Sequence, residues 1–196
     1  MKFLSTIIFV LLICFNKANA LPFLPANFLM KPYAGIGFNF WSKAGQYDNV
    51  MGAGFDILGN VESHIGLRVH RNFGIEVGYS RFGNNKIKYN QDIKFNSDNF
   101  YADLLLYYPI FDILGTAIEV YANAGVIYMD QVYKINNTSQ NNGIWTGKFG
   151  GGLQTKLFGA SSVKFGVDYY HINYSYEQFK LPYIVTLKFG FDIYFL

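Results

Sequence analysis

The sequence predicts an all-β protein, an eight-stranded antiparallel up-and-down transmembrane β-barrel. Three observations carry that reading. First, the last stretch alternates: Tyr183, Val185, Leu187, Phe189, Phe191, Ile193 and Phe195 are apolar, with Thr186, Lys188, Gly190 and Asp192 between them. A period of two is a strand with one oily and one polar face. Second, seven earlier segments repeat the pattern. Third, the connections alternate long and short, as in barrels with long outer loops and tight turns at the other end. In water the oily face would turn into a core. In a bilayer it turns to lipid, and closing the sheet satisfies every backbone polar group.

Residues 1–20 read as a signal peptide and residues 21–196 as the barrel domain. Lys2 is the basic start, residues 3–15 are apolar, and Ala18-Asn19-Ala20 is a cleavage site. The apolar run is shorter than the ~20 residues a membrane helix needs. The single cysteine, Cys14, falls inside this segment, and the bulky Ile13 before it argues against lipoprotein processing. The mature chain is then cysteine-free, with no disulfide or thiol chemistry. Removing Lys2 and Lys17 from the 16 basic residues leaves 14 against 13 acidic ones. So even a balance excludes the basic stripe that nucleic acid requires.

The elements follow in order. A first strand over 31–40 sets Ala34, Ile36 and Phe38 against Gly35, Gly37 and Asn39. The second, over 60–70, has Val61, Ile65, Leu67 and Val69 opposite Glu62, His64, Arg68 and His70. Arg71-Asn72 turns tightly into the third, 73–82, where Ile75, Val77 and Tyr79 alternate with Glu76, Gly78 and Ser80. The fourth, 100–108, ends at Pro109, which cannot donate to a ladder. The fifth starts at Thr116 and carries Glu119, Tyr121 and Asn123 on its polar face. The sixth, 145–157, carries Lys148, Gln154 and Lys156. In the seventh, 163–172, Lys164, Gly166 and Asp168 face away from Val163, Phe165 and Val167. The eighth is the terminal stretch. Polar segments over 42–60, 83–99, 130–143 and 173–182 read as external loops. The pentapeptide beginning at Phe55 recurs at Phe111, a coincidence in a chain so rich in Phe, Ile and Gly rather than an internal repeat. Gly150-Gly151-Gly152 lies in mid-strand, where it relieves crowding.

The polar faces carry charges that suit one another. Facing residues of an antiparallel pair have a constant index sum. A sum of 356 pairs Asp168 with Lys188 and also Lys164 with Asp192; 144 pairs Arg68 with Glu76; 275 pairs Glu119 with Lys156. Buried charges are tolerated when paired, and eight strands leave room for little but side chains. An interior filled by this network is expected, with Glu62, Asp103 and Lys148 nearby. The same charges would also suit an ion or proton path.

The tail, Lys188-x-Gly190-x-x-Ile193-x-Phe195, resembles the C-terminal signal read by the assembly machinery of bacterial outer-membrane barrels, although Leu196 follows the final aromatic. Together with the strand pattern, Gly74-Ile75-Glu76-Val77-Gly78-Tyr79 and the loop asymmetry, the mature chain resembles the small OmpA-like or opacity-type eight-stranded barrels. The resemblance implies a bacterial outer-membrane location. It also implies contact with outer-membrane lipid and lipopolysaccharide, handling by the barrel-assembly machinery, and no cofactor. It is to barrels without a C-terminal peptidoglycan-binding domain, so cell-wall anchoring by that route is not expected.

Enzymatic readings find little support. Lipid A deacylases of this shape use His-x-Ser followed by a Glu on the last strand; here Asn173 follows His171 at the Ser position, and an amide is no nucleophile. His64 and His70 are six apart, without the spacing of a metal site. No catalytic, cofactor or metal residue is expected. Two functions remain: a structural or surface-interaction role through the external loops, with a possible surface ligand, or a small pore for solutes or hydrophobic molecules. A soluble lipocalin-like barrel is the competing fold, with its charged face outside and an aliphatic ligand cavity.

Overall fold

The computed structural model describes residues 28–44, 50–51, 60–88, 92–113, 116–135, 138–157, 160–176 and 179–195. The expected signal peptide and its cleavage site, the Phe55 pentapeptide and Leu196 lie outside them. The strands are β1 (Phe28–Ala44), β2 (Val50–Met51), β3 (Val61–His70), β4 (Phe73–Lys88), β5 (Asp92–Ile113), β6 (Thr116–Ile135), β7 (Thr138–Leu157), β8 (Ser161–Tyr176) and β9 (Phe179–Tyr194). β2 is a two-residue ladder on the end of β1. The other eight pair antiparallel in sequence order, and β1 pairs β9 to close the ring.

The faces are inverted relative to a soluble protein. Phe100, Leu104, Leu106, Val126, Phe149, Leu153, Phe165 and Phe189 point outward and are exposed, whereas Glu62, Glu76, Asp103, Lys148, Asp168 and Asp192 are buried inside. This arrangement fits a surrounding bilayer and excludes the lipocalin-like alternative, whose charges would lie outside. Toward the long-loop end, Tyr79 meets Phe100 and Tyr128 meets Trp145, each pair 5.3 Å apart; Tyr169 stacks on Phe149 at 4.6 Å and on Tyr183 at 5.4 Å. Such aromatics mark the interfacial girdle. Above it the outer face becomes polar, with Arg81, Lys94, Asp98, Asp130 and Lys134 exposed.

The strands run longer than expected. Residues 83–99 and 130–143, read as loops, are mostly strand, and β5 continues through Pro109 to Ile113. Pro109 sits where the β5–β6 ladder slips, between Pro109 and Phe111, so its missing N–H is absorbed in a bulge. The loop readings fail because the exposed charges are only the outer face. Inside the same stretches Ile93, Phe95 and Tyr133 are buried in an apolar cluster with Phe82, Ile127, Met129, Ile172, Leu181 and Ile184. At 22 residues, β5 is roughly 75 Å long, and tilted by about 40° it rises well beyond the ~25 Å apolar band. The wall therefore continues beyond the apolar band at its long-loop end. There β7 loses one neighbour: its ladder with β6 runs to Thr138, but among the described residues its ladder with β8 stops at Lys148 and Tyr170.

Candidate functional site

The inward residues of the membrane-level barrel form the candidate site. Strand alternation places them: Glu62, His64 and Arg68 from β3, Glu76 from β4, Asp103 from β5, Glu119 and Asn123 from β6, Lys148 from β7, Lys164 and Asp168 from β8, Lys188 and Asp192 from β9, all buried. Wall glycines make the room. A Cβ on Gly35 would strike Asp192 and His64, and one on Gly66 would strike the Tyr33 ring.

Two clusters result. Near the tight turns, Arg68 donates through Nη1 and Nη2 to Glu119 at 2.8 and 2.9 Å, and also to the carbonyl of Arg71. Its guanidinium lies 4.0 Å over the Tyr107 ring. Lys156 donates to the same Glu119 at 2.8 Å. Above this, Lys148 holds Asp103 at 2.7 Å and Asp168 at 3.5 Å. Lys188 holds Asp168 at 2.8 Å and lies 3.9 Å from Glu62. Lys164 holds Asp192 at 2.9 Å and Glu76 at 3.1 Å. Tyr101 donates to Glu62 at 2.7 Å and Tyr33 to Glu76 at 2.9 Å. His64 joins the carboxylates, with Nε2 2.8 Å from Asp192 and Nδ1 3.6 Å from Glu62. Charge-assisted bonds of this kind offset the desolvation of buried ions when every member is satisfied.

The registers differ from the index sums by two residues in every case. Asp168 faces Thr186 and Lys164 faces Gly190; Glu119 faces Gln154; Arg68 faces Gly74. Lys188 still reaches Asp168, Lys164 reaches Asp192 and Lys156 reaches Glu119, because long side chains meet diagonal neighbours across a twisted sheet. The expected Arg68–Glu76 pair is corrected. Arg68 reaches across the lumen to Glu119, and Glu76 takes Lys164 instead. Of the tail residues, Lys188 and Gly190 point inward, while Ile193 and Phe195 are exposed on the outer face. His171 is exposed on β8 opposite Tyr183. His64 and Asn123 lie inward, as their polar-face positions predict, but their partners across the lumen were not expected, and Tyr33 and Tyr101 join the cluster without having been singled out.

A cavity of about 10 Å³ lies within the upper cluster, lined among others by Glu62, His64, Glu76, Asp103, Asn123 and the side-chain-free Gly37 and Gly190. That is room for about one water.

A family profile described as outer membrane protein beta-barrel domain matches residues 7–195. No curated protein matches the chain. Solved structures do. The Neisserial surface protein A shares 13% identity, with a TM-score of 0.56, covering 85% of this chain and 97% of that one. The N-terminal barrel of Pseudomonas aeruginosa OprF shares 12%, at 0.52, covering 83% and 97%. The Yersinia pestis attachment invasion locus protein Ail, in complex with the heparin analogue sucrose octasulfate, shares 11%, at 0.51, covering 84% and 97%. At such identities the likeness is one of fold.

Proposed function

Because this chain belongs to the outer membrane protein β-barrel family, and so resides in the bacterial outer membrane, we propose that it is a closed, non-catalytic barrel acting through its external end, as a structural or surface-interaction protein. The observation that supports this best is the filled interior: ion pairs at membrane level, enclosing a cavity of only about 10 Å³, and an apolar cluster above. A channel needs a continuous polar path. The lumen residues Arg68, Glu76, Glu119, Lys156, Lys164, Asp168, Lys188 and Asp192 serve to fill and brace the barrel. Lys188, Gly190, Ile193 and Phe195 serve as the assembly signal.

The external wall carries a feature suited to a ligand. Lys86 faces Lys94, and Lys94 faces Lys134, across β4, β5 and β6; the Lys94 and Lys134 side chains are exposed. Like charges placed directly opposite cost stability, and an anion relieves that cost. Sulfate or phosphate groups, on a polysaccharide or on lipopolysaccharide, fit the row. Ail in complex with a heparin analogue is one barrel of this fold that takes such a ligand.

Planar-bilayer recording combined with heparin affinity tests this reading. Silent insertion with salt-sensitive heparin retention, reduced in Lys94→Ala/Lys134→Ala, is the expected result. Steady channels would overturn the closed barrel, and unchanged retention in the double variant would remove the lysine row.

A further inference from the structure

We propose that Glu62, His64 and Glu76 form a divalent transition-metal site inside the barrel, of the zinc class. Each offers a ligand atom, and a set of such atoms, counting either imidazole nitrogen, lies within 4.8 Å of one another, all three residues being buried; Glu76 Oε2 is 3.6 Å from His64 Nε2 and accepts from Tyr33 and Lys164. His64 has one ring nitrogen engaged and the other without a hydrogen bond. Its Nε2 is 2.8 Å from Asp192 Oδ1, the carboxylate partner that fixes the tautomer of a ligating histidine and directs the other nitrogen's lone pair away. That other nitrogen, Nδ1, has no hydrogen-bond partner, and neither does Glu62 Oε2.

Nδ1 and Glu62 Oε1 stand 3.6 Å apart. That is long for a hydrogen bond and near the roughly 3.3–3.6 Å between ligands of a tetrahedral ion with bonds of about 2.0–2.2 Å. Both residues line the cavity, as do Asp103 and Asn123, whose Oδ1 atoms are also unpartnered. The open space and the unmatched acceptors therefore coincide.

Charge balance points the same way. With neutral His64, the upper cluster sets three ammonium groups against five carboxylates. Two positive charges are missing from a low-dielectric interior, where an uncompensated ion is costly. A divalent cation supplies both. Lys164 and Lys188, both already in that count, lie closest to Asp192 and Asp168 and are shared with Glu76 at 3.1 Å and Glu62 at 3.9 Å, so they leave the deficit of two standing. The buried position means that the ion enters as the barrel folds.

The protein is refolded in detergent with zinc, passed through a desalting column and assayed for bound metal; cobalt replaces zinc for visible absorption. About one equivalent per chain is expected, unchanged in His70→Gln and His171→Gln. Retention falls at least ~10-fold in His64→Gln and Glu62→Gln, and Asp192→Asn weakens it by about 10–100-fold. Zinc-free wild-type protein, or equal retention in His64→Gln, overturns the proposal. Should the variants not refold, the wild-type imidazole nitrogen spectrum decides, since there are 3 histidines to assign. A zinc-dependent shift of the His64 resonances supports the site. A doubly protonated, zinc-insensitive His64 ring overturns it.

Discussion

Asp168 shows how much one residue carries in this interior. It is fully buried and shared by two ammonium groups, at 2.8 Å from Lys188 and 3.5 Å from Lys148. Asp168→Ala strands both cations and should cost about 3–5 kcal/mol, read as a lower urea midpoint for the refolded barrel; Asp168→Asn keeps two acceptor lone pairs and should lose less. Gly66 matters for the opposite reason, by having no side chain. A Cβ there overlaps the Tyr33 ring, whose hydroxyl binds Glu76. Gly66→Val should cost about 1–3 kcal/mol by overpacking, while Gly147→Val, where nothing lies within 4 Å, should be far milder. The same urea titration separates the two.

At the scale of elements, the existence and faces of the strands were legible in the sequence, and their outer ends were not. Alternation in β9 is visible because its outer face is apolar throughout from Tyr183 to Ile193, while its inner face carries Thr186, Lys188, Gly190 and Asp192. In β5 the run Ile93 to Asn99 has buried Ile93 and Phe95 inside, then Ser97 and Asn99 also inside. The inner face itself turns from apolar to polar there, and the period of two dissolves into an Asn- and Lys-rich composition. The charges were legible as a set because inward parity selects them. Their pairings were not, because index sums describe directly facing residues and side chains meet on the diagonal. The place of His64 in the cluster was not legible, because Asp192 and Glu76 come to it from neighbouring strands. Amide hydrogen exchange in a nanodisc tests the longer strands. Residues 93–95 and 97–99, paired on both sides, should be strongly protected, whereas 138–147, paired to β6 alone among the described residues, should exchange faster at alternate positions. Uniformly fast exchange over 92–99 would restore the loop reading.

For the whole molecule, the division of the interior into a charged lower half and an apolar upper half decides permeability. An ion entering from outside meets Phe82, Phe95, Ile127 and Met129 before any charge, and dehydration there is costly. Single lumen variants such as Lys188→Ala should therefore leave the bilayer silent, because the apolar half stays packed. Conductance that appears on Lys188→Ala alone would mean that the ion pairs by themselves close the barrel.

The uneven β7 has a mechanical consequence. Among the described residues its rungs to β8 end at Lys148–Tyr170, while those to β6 continue for ten more residues, 138–147. The wall is thus a fabric with a tear already begun, and any load on its outer rim concentrates at the Lys148–Tyr170 stitch. Pulled from the tip of β7, the cylinder should fail by ripping downward along that seam, parting Lys148 from its neighbours before any other strand boundary yields.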